Sequence, residues 1–136
     1  MLIEQLKKHE GFRPDVYTCT ADKPTIGYGR NLEANPFTPE EAEVWLVEAV
    51  SQVEEELKRH FNVTRLSNPR AAVLINMAYN LGVPRLMGFA KMFEALDQSD
   101  FDTAAKEMLD SRWAKQVGIR ATELSEQMRT GEWQNQ

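Results

Sequence analysis

The stretch HEGFRPDVYTCTADKPTIGYGRNL, residues 9–32, decides the fold class. Just before it, Leu2, Ile3 and Leu6 fall on one face of a short amphipathic helix that also reaches Phe12. Gly11 is its stop, because glycine closes helix ends in backbone conformations that other residues resist. Two β-prone runs follow, at 16–18 and 25–28, joined by TCTADKP, which is rich in turn formers. That pattern predicts a hairpin. Gly27 and Gly29 permit close backbone approach or a positive φ. One small hairpin in a chain that otherwise reads as helix predicts an α+β, mainly α, architecture.

Downstream, NPFTPEEAE opens a long helix. Thr38 is the expected N-cap, Pro39 sits at the first helical position, and Glu40 and Glu41 suit the positive helix end. Val44, Trp45, Leu46, Val50, Val53 and Leu57 recur at helical spacing to about His60. Asn68 and Pro69 begin another helix. RAAVLINMAYNLG, residues 70–82, is apolar nearly all round and should be the central core helix, ended by Gly82 with Pro84 after it. Further helices are expected at 89–96, at 101–109 with Asp100 as N-cap, at 111–116 and at 119–128. Trp45, Trp113 and Trp133 read as packing anchors, and Met77, Met87, Met92 and Met108 as core filling. His9 and His60 read as solvated helical residues.

With 136 residues, 42% hydrophobic and 27% charged, the chain is bounded to one globular domain. Its net charge of −5 argues against a sequence-independent grip on nucleic acid, so no nucleic-acid partner is expected. Arg112, Lys115, Arg120 and Arg129 form a local basic segment, read as a solvated helix face. No apolar run approaches the ~20 residues of a membrane span, and stable membrane association is not expected. MLIEQLKKHEGF has no signal-peptide core, which places the chain first in a cytoplasm. A single cysteine makes no intramolecular disulfide. No Cys/His cluster points to zinc, and nothing in the sequence asks for a metal or cofactor.

Glu10, Cys19 and Thr25 are the candidate chemistry. Cleaving a glycosidic bond takes a proton donor near the leaving oxygen and a second group, base or nucleophile, across the sugar. Glu10, at a helix end beside Phe12 and Tyr17, can be held partly buried, which favours its protonated form. A thiolate at Cys19 accepts a proton or attacks carbon. The Thr25 hydroxyl donates and accepts, so it can hold a water. Taken singly, each residue also has an ordinary reading: a solvated Glu, a small buried Cys, a β-prone Thr.

The same stretch resembles the phage-type lysozymes of glycoside hydrolase family 24. Their signature is Glu, then Asp nine positions on, then Thr six further, closing on Thr-Ile-Gly-x-Gly. Glu10, Cys19 and Thr25 keep both spacings. RAAVLINMAYNLG looks like the family's central helix, and GFAKMFEAL, FDTAAKEMLDSRWAKQ, IRATEL and RTGEW look like its C-terminal lobe, in order. The resemblance implies a single lysozyme-like domain over 1–136. In it a reduced hairpin lobe at 12–37 is set against a helical part formed by 1–11 and 38–136. It also implies hydrolysis of the β-1,4 bond between N-acetylmuramic acid and N-acetylglucosamine in bacterial peptidoglycan. Glu10 matches the general acid, Cys19 stands where the catalytic Asp usually stands, and Thr25 matches the water-positioning Thr. Arg120 matches an Arg that approaches the Glu, and Tyr79 and Asn80 match positions along the sugar groove. Asn31, Met92 and Glu107 align with other substrate contacts without keeping the residue type.

The departures are Cys19 for Asp, a short segment before Thr38, and the acidic charge. Some family members are similar in using Cys, where a softer, oxidisable base works by a water-mediated or a covalent route. Asp15 and Asp22 lie nearby but miss the spacing. The short segment implies a stub of a small lobe with fewer sugar subsites. Two other readings remain: a lytic transglycosylase using Glu10 alone, and a non-catalytic wall-binding module. As an endolysin, the chain is expected to be a monomer that waits in the host cytoplasm for a holin to give it access to the wall.

Overall fold

The structure, a computed structural model, describes residues 1–134. Among them it has eight α-helices and a three-stranded antiparallel sheet, the α+β, mainly α, class expected. The chain divides into two compact units, Met1–Leu46 and Val47 onward.

The first unit holds α1 (Leu2–Glu10), β1 (Arg13–Thr18), β2 (Pro24–Gly27), β3 (Arg30–Asn31) and the start of α2 (Pro39–Lys58). Helix α1 stops at Gly11, φ 72°, whose amide donates to the Lys7 carbonyl at 2.9 Å. The sheet order is β1-β2-β3. Tyr17 pairs with Thr25 and Thr18 with Pro24, and a break in register separates these from Arg13 paired with Gly27. Thr25 also pairs with Asn31 across β2 and β3. The third strand was not expected, because two residues carry no alternation to read. The turn between β1 and β2 closes on itself. Cys19 N–H donates to the Lys23 carbonyl at 2.9 Å, and Asp22 N–H donates to the Cys19 carbonyl at 2.9 Å.

Thr38 and Glu41 form the reciprocal cap that the sequence pattern invites. The Glu41 amide donates to Thr38 Oγ1 and the Thr38 amide to Glu41 Oε1, each at 3.1 Å. Arg30 binds both carboxylate oxygens of Glu41, at 2.5 and 2.9 Å. It also donates to the Asn35 and Pro36 carbonyls. Its guanidinium lies 4.1 Å from the Phe37 ring centroid, and Phe37 packs on Trp45. One arginine therefore ties β3 to the loop and helix that follow. Thr25 is the one buried residue of this unit. Val44, Trp45 and Leu46 are exposed: the helix is as expected, but its one fully buried residue is Leu57, and Trp45 packs on Phe37 rather than in the core.

The second unit carries the hydrophobic core. A 3-10 turn (Val63–Arg65) leads into α3 (Asn68–Leu81), α4 (Val83–Met87), α5 (Ala90–Asp97), α6 (Phe101–Leu109), α7 (Arg112–Val117) and α8 (Ile119–Thr130). Leu57, Leu74, Met77, Leu86, Met92, Leu96, Met108 and Met128 are fully enclosed. Met87 packs against them partly buried. Helix α8 lies against α3, α6 and α7. Asp100 and Ser111 cap α6 and α7 by accepting the Thr103 and Ala114 amides. Arg70 on α3 donates to the Met128 and Arg129 carbonyls, and Gln127 donates to the Pro69 carbonyl. Arg70 thereby satisfies two carbonyls in the last turn of α8, and the Gly131 amide satisfies that of Gln127. Trp113 is buried as expected, but Trp133 is half exposed and is no core anchor. Pro84 opens a new helix rather than a loop, because proline fits the first turn. No helix of the described residues is long and apolar enough to cross a membrane.

Candidate active site

Glu10 is the last residue of α1. Two contacts hold the end of this helix on the turn after β2. Lys7 Nζ lies 5.9 Å from the Tyr28 ring centroid, and the Phe12 and Tyr28 rings are 5.4 Å apart. The Glu10 carboxyl then rests on Gly29: a Cβ at that glycine would sit 2.5 Å from Glu10 Oε2. Glu10 is exposed, which corrects the expectation of partial burial. Phe12 is itself exposed, and Tyr17 is half-buried beneath the Arg13 guanidinium at 4.5 Å. Three short strands bring too little apolar surface to enclose a carboxyl.

Cys19 stands at the first position of the β1–β2 turn, half-buried, with a free thiol. Its pKa is held below the ordinary thiol value. The largest cause is hydrogen bonding from the Lys23 backbone, followed by the Thr25 hydroxyl and the Ala21 backbone, against a small opposing cost of burial. The Thr25 hydroxyl has one proton, and it is directed at the Lys23 carbonyl at 3.0 Å. Turned to the sulfur instead, the same proton adds to the stabilisation of a thiolate. The Lys23 backbone dominates in either orientation.

Asn31 pairs with Thr25 across the sheet, and its Oδ1 accepts the Glu33 and Ala34 amides at 3.0 and 3.1 Å. Lys23 Nζ reaches Glu33 at 3.1 Å. The first unit thus gathers Cys19, Thr25 and Asn31 on one small sheet, with Glu10 on the turn that joins β2 to β3. Asp15 and Asp22 are both exposed, and Asp22 has a structural place in the turn, at φ 62°.

In the second unit, Tyr79 and Asn80 lie exposed near the end of α3. Asn80 Oδ1 accepts the Trp113 indole N–H at 2.8 Å, which leaves its NH2 as donor. Arg120 donates to Asn76 Oδ1 from two nitrogens, at 3.0 and 2.7 Å. Asn76 was not singled out from the sequence, although it lies one turn before Asn80 on α3 and that spacing puts both on one face. Asn76, Arg120, Glu123, Gln127 and Trp133 line a hollow of about 170 Å³. Met92 is fully enclosed, so its alignment with a substrate contact does not give an exposed side chain. Glu107 is half-buried and borders, with Met92, Lys91 and Asp110, an open groove of about 390 Å³. The basic segment is divided: Arg120 is engaged by Asn76 and Arg129 by Glu126, while Arg112 and Lys115 are exposed. Among the described residues no group of three or more His, Cys, Asp or Glu is arranged to hold a metal ion.

Residues 7–130 match the phage lysozyme family. The chain belongs to the phage lysozyme family. Glu10, Cys19, Thr25, Asn31, Tyr79, Asn80 and Arg120 all fall inside the matched span. The chain is 28% identical over 159 residues to the pre-baseplate central spike protein of Enterobacteria phage T4, covering 96% of this chain and 28% of that protein. It is also 28% identical over 113 residues to an endolysin of Acyrthosiphon pisum secondary endosymbiont phage 1, covering 81% of this chain and 75% of that one. The chain therefore spans little more than a quarter of the spike protein's length and three quarters of the endolysin's.

Proposed function

We propose that this chain degrades bacterial peptidoglycan as an endolysin-type muramidase, hydrolysing the β-1,4 bond between N-acetylmuramic acid and N-acetylglucosamine. Family membership and the endolysin relative support the substrate class. The observation that carries the reading is geometric: Cys19 opens the β1–β2 turn, Thr25 stands just beyond its other end, and the Glu10 carboxyl rests against Gly29 in the turn after β2, all within the span that matches the family.

In this reading Glu10 protonates the glycosidic oxygen as the bond to the anomeric carbon breaks. The Cys19 thiolate takes the proton of a water held by Thr25, and that water attacks the anomeric carbon. In the covalent variant Cys19 attacks first and water releases the sugar. Asn31, Tyr79, Asn80 and Arg120 bind the glycan, Asn80 through its NH2. The chain acts as a monomer, held in the host cytoplasm until a holin opens the way to the wall.

Mass spectrometry of fragments released from purified peptidoglycan tests this, with wild type, Glu10→Gln and Cys19→Ala side by side. Reducing-end muramic acid from wild type, lost in both variants, is the expected result. Anhydro-muramic ends with Cys19→Ala still active would replace hydrolysis by transglycosylation and reduce Cys19 to packing. Binding without any fragment under reducing conditions would leave a wall-binding module.

A further inference from the structure

We propose that Gly29 is a positioning residue for the acid, and that the two glycines of the Thr-Ile-Gly-Tyr-Gly turn do different work. The catalytic consequence rests on the reading of Glu10 as the proton donor. Both glycines have a positive φ, 68° at Gly27 and 82° at Gly29. Any side chain at either position meets the same kind of backbone strain. Their surroundings differ. A Cβ at Gly27 meets nothing within 4 Å, whereas a Cβ at Gly29 meets Glu10 Oε2 at 2.5 Å and the carboxyl carbon at 3.1 Å. Gly27 is needed for the path of the chain alone. Gly29 is needed for that and for the space its missing side chain leaves to the carboxyl.

The neighbouring contacts explain why the carboxyl does not simply choose another place. Lys7 and Phe12, on either side of Glu10, both meet the Tyr28 ring. These contacts fix the end of α1 against the turn, so the short Glu10 side chain reaches the bare Cα of the next residue. A methyl group at 29 leaves the helix docked and swings the exposed carboxyl away. The clash is with the far end of a flexible side chain, so it is relieved by moving Glu10 and not by unfolding the turn.

Gly27→Ala and Gly29→Ala, compared with wild type, test this. Stability is measured by thermal melting in the wild-type and Glu10→Ala backgrounds, the Glu10 carboxyl is observed by carbon NMR, and kcat and KM are measured on soluble glycan fragments. The expected result is a similar loss of stability in both glycine variants, with any excess at Gly29 abolished by Glu10→Ala. The Glu10 carboxyl signal shifts in Gly29→Ala and stays in place in Gly27→Ala. kcat falls roughly 10–100-fold more in Gly29→Ala than in Gly27→Ala, with KM within about twofold, since misplacing a catalytic group by about 1 Å has effects of that order. Two glycine variants indistinguishable in NMR and in kcat would overturn the proposal. A displaced carboxyl signal in a chain that cleaves nothing would keep the positioning role of Gly29 and remove the proposed activity instead.

Discussion

At the scale of single residues, Cys19 and Asp22 show how a five-residue turn serves chemistry and folding together. The backbone of Lys23 and the hydroxyl of Thr25 both act to lower the Cys19 pKa. Its rate of alkylation by iodoacetamide should therefore rise through a midpoint below the ~8.5 of a free cysteine. Thr25→Val should raise that midpoint part of the way, because the backbone contribution, the larger one, remains. A midpoint at or above the free value would remove the thiolate from the mechanism. Asp22 supports the same turn by taking φ 62°. That conformation costs an ordinary residue about 1–2 kcal/mol, less for Asp, and nothing steric for Gly. Denaturant unfolding should show Asp22→Val less stable by at least about 1 kcal/mol, and Asp22→Gly within about 0.5 kcal/mol of wild type. The sequence marked this segment as a turn through its composition, and Cys19 and Thr25 through their resemblance to a family signature. The positive φ at Asp22 was not legible, because many turn types share those residues.

Among the elements, helix ends were the most legible features and the core stripe of α2 the least. Thr38, Asp100 and Gly11 each carry a local chemical reason to sit where they do, and each does. Val44, Trp45 and Leu46 are consecutive and so point around the helix, and burial depends on what each direction meets. Glu41 could be read as a charge at a helix start but not as the carboxylate that Arg30 grips from eleven residues away. The Arg30 hydrogen bonds, and next the Thr38 amide, pull its pKa down to about 2. A carboxyl depressed in the folded state stabilises above its unfolded value, about 4.3, and that stabilisation disappears as pH falls through about 2. Glu41→Gln should therefore melt below wild type at pH 6. The gap should narrow from about pH 4.5 downward and close near pH 2. An equal gap at all pH values would mean that Glu41 acts through packing. In the second unit, Met108 is fully enclosed in the core, and Met108→Ala should cost about 2–5 kcal/mol in denaturant unfolding.

At the scale of the whole molecule, charge and function meet in a way that no single residue displays. Glu10, Cys19 and Thr25 stood out only through their resemblance to a family signature, since each taken alone has an ordinary reading. Asn76 beside Arg120 was not legible, because folding makes that pair and leaves only an unremarkable Asn in the sequence; Gly29 was legible as a place of close approach, but not that Glu10 is what approaches it. Net charge, by contrast, is read directly: −5 over 136 residues. The basic segment that might have offset it locally is partly neutralised, with Arg129 paired to Glu126. An acidic chain gains no long-range attraction to an anionic wall, and salt screens what repulsion there is over a Debye length of about 10 Å at 0.1 M. Raising salt from about 50 to about 200 mM should therefore leave peptidoglycan cleavage unchanged or increase it, as read by turbidity loss of purified walls. A steep fall over that range would mean that the exposed Arg112 and Lys115 dominate docking. Substituting both with Ala should then remove the salt dependence.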